Sequence, residues 1–301
     1  MVRKRKRFVA TGSGFELQIP TTYKDLLEEA EKTIEQSVSR YPKARKLWEL
    51  MKKDPEVNAC WDMADYIAVA KLNYNDHGEV HAKVVAANAL KMLDILLENG
   101  ILPDIMEEGA GDEDDAHLIV LAGGLLHDIG NQVHRELHPL HSAYLAISIL
   151  NRLLPKIYED PEKMYEIRGH ILHTIYAHGA EVKDLTIEAS LVGIADGTDM
   201  TKGRGRLAFE SGNVNIHTVS ALSIEKVEIV KGMEKPIEIR IDMSNSAGIF
   251  QVQETLLPKI TGSPLEDYVD VIAVTVPPEE DRDVRIVRKL TIKSGKFKPR
   301  D

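Results

Sequence analysis

The sequence predicts a mainly α protein, with a helical bundle over residues 1–212 followed by a small α+β domain over residues 213–301. Three observations predict it. Apolar residues recur at helical spacing through the first two thirds of the chain. The apolar run Leu118 to Gly130, LIVLAGGLLHDIG, reads as a buried helix too short to cross a membrane. From Asn213 the pattern changes to period two.

Taken in order, Tyr23, Leu26, Leu27, Ala30, Ile34 and Val38 form one apolar stripe of a helix over Thr22 to Val38, with Thr22 and Asp25 as a capping pair. Further helices are expected over Pro42 to Lys52 and Pro55 to Leu72. A longer one runs from Asp76 to Glu98, on which His77 and His81 stand four apart and share a face. Gly100 to Ala116 lacks periodicity and reads as a loop, with Asp112 to Asp115 as a solvated surface segment. The buried helix then ends at His127 and Asp128, with Gly130 as its stop. Helices over Pro139 to Leu154 and Pro161 to Ala177 follow, the second carrying His170 and His173 with His178 at its end. Ala189 to Ile194 is an apolar helix that delivers Asp196.

Beyond it, ADGTDMTKGRGR is polar and punctuated by glycine. Lys202, Arg204 and Arg206 on this loop are candidate phosphate ligands, since a guanidinium fork matches phosphate oxygens; a plain surface linker is the alternative. Val227 to Val230 and Ile237 to Ile241 read as strands, Gly248 to Ile260 as a helix, and Val269 to Val276 and Arg285 to Ile292 as two more strands. The order is ββαββ. Ser244 to Gly248 could cradle an anion or simply cap the helix.

Composition sets outer bounds. The chain has 301 residues, 43% hydrophobic and 29% charged, which describes a globular protein with a real core. A net charge of -10 argues against a wholly basic nucleic-acid-binding surface, while a local patch could still bind phosphate. The single cysteine, Cys60, excludes an internal disulfide and reads as a small buried hydrophobe. MVRKRKRF at the start is basic, but no apolar segment follows it, so a cytoplasmic location without a membrane partner is expected.

The histidines are concentrated. Of eleven, ten fall between His77 and His178. A buried carboxylate beside His127 must be hydrogen-bonded or metal-bound to offset its desolvation. Imidazole nitrogens and carboxylate oxygens without thiolate suit first-row divalent ions rather than a structural zinc site.

The matching phrases are HAKVVAANAL with His81, LLHDIG with His127 and Asp128, HPLHSA with His138, YAHG with His178 and LVGIADGTD with Asp196. In order and context they resemble the HD-domain metal-dependent phosphohydrolases over about residues 60 to 210, and in particular the HD portion of ribonuclease Y and its archaeal relatives. The resemblance implies an HD-type bundle and a metal held by His81, His127, Asp128 and Asp196. It implies a reaction of phosphomonoester or phosphodiester hydrolysis on a nucleotide-like substrate. Asp128 would be catalytic and would bridge the ions where there are two, with His77, His138, His173 and His178 as candidates for the second. His178 is also a candidate proton donor. The spacing leaves open whether His138 or His141 is the equivalent histidine. The implied ions are manganese, iron, nickel or zinc, one or two of them, with magnesium as an alternative. A homodimer and an RNA substrate stay open. Family members usually carry lysine after HDIG where this chain has Asn131, the feature that favours a noncatalytic metal-nucleotide sensor. An RNA-processing phosphodiesterase is the other alternative.

Overall fold

The computed structural model describes residues 21–72, 74–201, 220–275, 289–293 and 296–299. It is mainly helical with a small sheet, as the periodicities predict. The helices are α1 (Thr21–Ser37), α2 (Pro42–Met51), α3 (Pro55–Asp65), α4 (Glu79–Glu98), α5 (Asp104–Glu107), α6 (Glu113–Leu126), α7 (His138–Leu153), α8 (Pro161–Tyr176) and α9 (Ile187–Thr198). Asp54, Asp160 and Thr186 cap α3, α8 and α9 by accepting backbone N–H groups of the first turn, and Pro begins α2, α3 and α8 where its missing donor costs nothing.

The bundle is assembled around α6, whose residues Asp115 to Leu126 are all buried. Two adjacent glycines explain how neighbours close on it. A Cβ at Gly124 would lie 2.6 Å from Ala86 Cα on α4, and one at Gly123 would lie 2.4 Å from Thr174 Oγ1 on α8. Each glycine weakens the helix by roughly 0.5–1 kcal/mol relative to alanine, and the contacts it permits draw α4 and α8 against the end of α6. Trp61 Nε1 on α3 donates to Leu125 O at 2.9 Å and fixes that end from another side.

The sheet has order β1 (Ile224–Lys231), β2 (Ile237–Met243), β3 (Val269–Thr275), β4 (Lys289–Lys293) and β5 (Lys296–Pro299). Among the described residues only the β2–β3 pair is parallel. Between these two strands lies a composite helical segment, comprising a short 3₁₀ turn, α10 (Ile249–Gln251), a π-helical stretch Val252–Leu256 and α11 (Leu257–Ile260). β1 and β2 pack against α4, and α11 packs against α9. Residues of bundle and sheet join one continuous apolar core.

Several expectations are corrected. Asp112 to Asp115 are solvated only in part, since Asp112 and Glu113 are exposed and Asp115 is buried. Asp112 and Asp115 form a reciprocal capping box that starts α6, Asp115 is buried with its Oδ1 accepting from Lys43 Nζ at 2.6 Å and Tyr158 Oη at 2.7 Å, and Asp114 accepts from the Lys43 and Ala44 amides. Acids there complement the helix dipole while holding α2 and the turn after α7 to α6. Pro55 to Leu72 is not one regular helix, because α3 passes into a π-helical turn at Tyr66–Lys71. The ββαββ order is extended by β5. Asn245 Oδ1 accepts from Ala247 N at 2.9 Å, so Ser244 to Gly248 serves as a cap. Cys60 is buried. The boundary at residues 212 and 213, the basic start and residues 285–288 of the expected last strand lie outside the described residues. No described helix is long and apolar enough to cross a membrane.

Candidate metal centre

His81 lies in the first turn of α4, His127 caps the end of α6, His138 opens α7 and His178 follows α8; Asp196 is on α9. Four separate helix ends therefore meet around Asp128, which directly follows His127. Gly130 is what lets α7 join them. Its φ is not positive, so it is no left-handed stop. A Cβ there would lie 2.1 Å from His138 O and 2.4 Å from Ser142 N, and its own N–H donates to Ser142 Oγ at 2.7 Å. The glycine of HDIG is thus the seat for the first turn of α7.

The hydrogen bonds define the tautomers. Nδ1–H of His81 donates to Asp199 Oδ2 at 2.6 Å, that of His127 to Gly124 O at 2.8 Å, that of His138 to Arg135 O at 3.1 Å and that of His178 to Ile175 O at 2.6 Å. Each acceptor carries no proton to offer, so each neutral ring presents a lone pair at Nε2. Those nitrogens face one another in two pairs, His81 with His127 at 3.1 Å and His138 with His178 at 3.2 Å. Two lone pairs at hydrogen-bond distance repel unless a proton or another cation lies between them.

A proton is disfavoured on His127 and on His178. Burial pulls His127 down to about 4, and burial together with His127 and His138 pulls His178 well below the ordinary histidine value. A metal ion could take that place, and two carboxylates lie beside the rings. Asp128 turns Oδ2 toward the first pair, at 3.3 Å from His81 Nε2 and 3.7 Å from His127 Nε2. Its Oδ1 turns toward the second, at 3.2 Å from His138 Nε2 and 3.8 Å from His178 Nε2. Asp196 Oδ1 lies 3.2 Å from His81 Nε2 and 3.9 Å from His127 Nε2. Burial opposes the charge of Asp128, but the neighbouring His77 outweighs it and holds the acid well below its ordinary value; the Lys259 ammonium does the same for Asp196. Three overlapping groups here could hold a metal ion: His77, His81 and Asp128; His81, His127 and Asp196; and His127, Asp128 and His178.

The expected ligand set His81, His127, Asp128 and Asp196 is brought together. Of the further candidates, His138 and His178 join it. His77 lies before α4, which starts at Glu79, instead of on it, and its Nδ1 is 2.6 Å from Asp128 Oδ2 on the side of the first pair, where it forms with His81 and Asp128 a group that could hold an ion. His173 is not brought to the cluster among the described contacts: its Nε2 accepts from Leu185 N at 3.3 Å in the loop after α8, and it is in none of the groups that could hold an ion. His141 is in none of these groups, and its Nδ1 is buried without a hydrogen-bond partner among the described residues. Lys202, Arg204 and Arg206 lie outside the described residues.

Sequence reasoning missed three groups. Arg135 Nη1 donates to Asn131 Oδ1 at 3.2 Å and sits 3.4 Å from His138 Nε2 and 3.9 Å from Asp128 Oδ1. Asn131 in turn donates to Asp128 Oδ1 at 2.8 Å. Asp199 orients His81, and its position three residues past Asp196 was the available signal. Lys259, from the C-terminal segment, left no local signal.

The chain is 50% identical over 221 residues to the uncharacterized protein MJ1020 of Methanocaldococcus jannaschii, covering 73% of this chain and 85% of that protein. No family model matches, and no solved structure matches. The chain belongs to the family of this archaeal protein.

Proposed function

We propose that the protein is a metal-dependent phosphohydrolase of the HD-domain type, holding two divalent ions with Asp128 between them. The observation that carries this reading is the pair of facing Nε2 contacts, at 3.1 Å and 3.2 Å, each addressed by a different oxygen of one buried carboxylate. His81, His127 and Asp196 would complete one site, and His138 and His178 the other. The donor set of neutral imidazole and carboxylate suits manganese, iron, nickel or zinc. An ion bound there would lower the pKa of its water from about 16 toward roughly 7 and take up charge on a phosphoryl oxygen.

The chain's own groups supply the rest. Asp199 and the Gly124, Arg135 and Ile175 carbonyls lock the four rings with Nε2 inward, which is the outer-shell arrangement that metal histidines require. Arg135, partly exposed and beside the second pair, supplies the cation that a lysine at position 131 would otherwise bring, and its planar fork suits a phosphate. Asn131 links that guanidinium to Asp128. The substrate class is a nucleotide-like phosphomonoester or phosphodiester. A screen of phosphatase and phosphodiesterase substrates across divalent metals tests the proposal: metal-dependent release of phosphate or alcohol is expected, and a protein that binds the ions yet hydrolyses none would favour the sensor reading.

A further inference from the structure

Lys259 belongs to α11, in the C-terminal segment, yet its ammonium reaches the centre of the bundle. Nζ donates to Asp196 Oδ2 at 2.7 Å and to His178 O at 2.7 Å. Its stem crosses α9 at Gly197, where a Cβ would lie 3.2 Å from Lys259 Cδ and 3.2 Å from Leu256 Cα. One half-buried cation thus ties α9, which carries the acid of the first site, to the backbone that carries the histidine of the second.

We infer that Lys259 is a positioning residue which completes the metal centre from the C-terminal segment. Oδ2 of Asp196 is engaged by the ammonium, and Oδ1 is the oxygen that lies 3.2 Å from His81 Nε2 and 3.9 Å from His127 Nε2. The carboxylate is therefore held as a one-oxygen ligand, and its rotation about the terminal torsion, which is intrinsically soft, is removed. The second bond, to His178 O, sets the distance between the two halves of the site. The C-terminal segment is then a working part of the centre: its seating on α9 and the ligand geometry change together. This inference rests on the reading of the site as a metal centre.

The test is manganese titration of the full chain by calorimetry, with the visible spectrum of the cobalt-loaded protein as a second readout. Lys259→Met keeps the stem over Gly197 and removes both hydrogen bonds. It should weaken manganese binding about 10- to 100-fold, the usual effect of losing an outer-shell partner, and should change the cobalt spectrum because both oxygens of Asp196 become available. Lys259→Arg should restore most of the affinity, which a merely structural defect would not predict. If Lys259→Met does not fold, Lys259→Gln carries the same measurement. Wild-type affinity with a wild-type cobalt spectrum in the neutral variants would overturn the inference while leaving the metal centre intact. Wild-type protein that takes up no metal would overturn the metal reading itself.

Discussion

Gly130→Ala tests how the second half of the centre is built. The added Cβ would meet His138 O at 2.1 Å, Ser142 N at 2.4 Å and His141 Cβ at 2.8 Å, whereas real Cβ contacts essentially never fall under 3.0 Å. Two of the three neighbours are backbone atoms of α7, so no side-chain rotation can relieve the clash. The first turn of α7 must retreat by about 0.9 Å or the turn after His127 must deform, and forced repacking of this kind costs about 1–3 kcal/mol. His138 rides on that turn, while His81, His127 and Asp196 are held by α4, α6 and α9. Urea unfolding in the presence of a chelator should therefore show the loss of stability. Manganese titration should show the weaker of two binding phases reduced at least about tenfold, with the other nearly unchanged. A variant as stable as the wild type that binds two ions equally well would refute the account of how Gly130 seats α7.

Asp128→Ala should abolish hydrolysis and metal uptake while far-ultraviolet circular dichroism stays native, because the buried charge leaves together with the ions it faces; wild-type turnover would contradict the assignment. The metal-free protein should lose stability on acidification. His127 is held at about 4 against an unfolded value near 6.5, so the unfolded chain binds the extra proton and about 3 kcal/mol is lost as pH falls from roughly 6.5 to 4. Chemical unfolding across that window checks it, and His127→Gln should flatten the slope. Arg135→Ala should raise KM for a phosphorylated substrate more than it lowers metal affinity, since Arg135 is half-exposed beside the site and holds no ion.

The central ligand set was legible because two kinds of signal coincide in it. An apolar helix that ends in His-Asp marks a buried polar pair, and Asp196 ends another such helix. Helical periodicity placed His81 and His77 on one face, although α4 starts only at Glu79, so that His77 precedes it and meets Asp128 through Nδ1 while His81 faces His127 through Nε2. What stayed hidden is contact between distant segments. Asp199 meets His81 across 118 residues and Lys259 meets Asp196 across 63, and hydrophobic patterning says which face is buried but not against what. Position 130 shows a subtler failure. Its glycine was legible as special, but the reason is a close approach by His138 and Ser142 rather than a left-handed helix end. The acids of α6 misled for the opposite reason, since a run of charge reads as solvated until a capping box and Lys43 are seen to satisfy it.

The most direct test of the account is the metal content of the full chain, measured by elemental analysis after exposure to manganese and removal of loosely held ions. Two equivalents per chain are expected, falling to one in His178→Ala, with His173→Ala retaining both because His173 faces Leu185 rather than the cluster. Protein that retains no manganese, iron, nickel or zinc would contradict the reading of the facing Nε2 pairs as a metal centre.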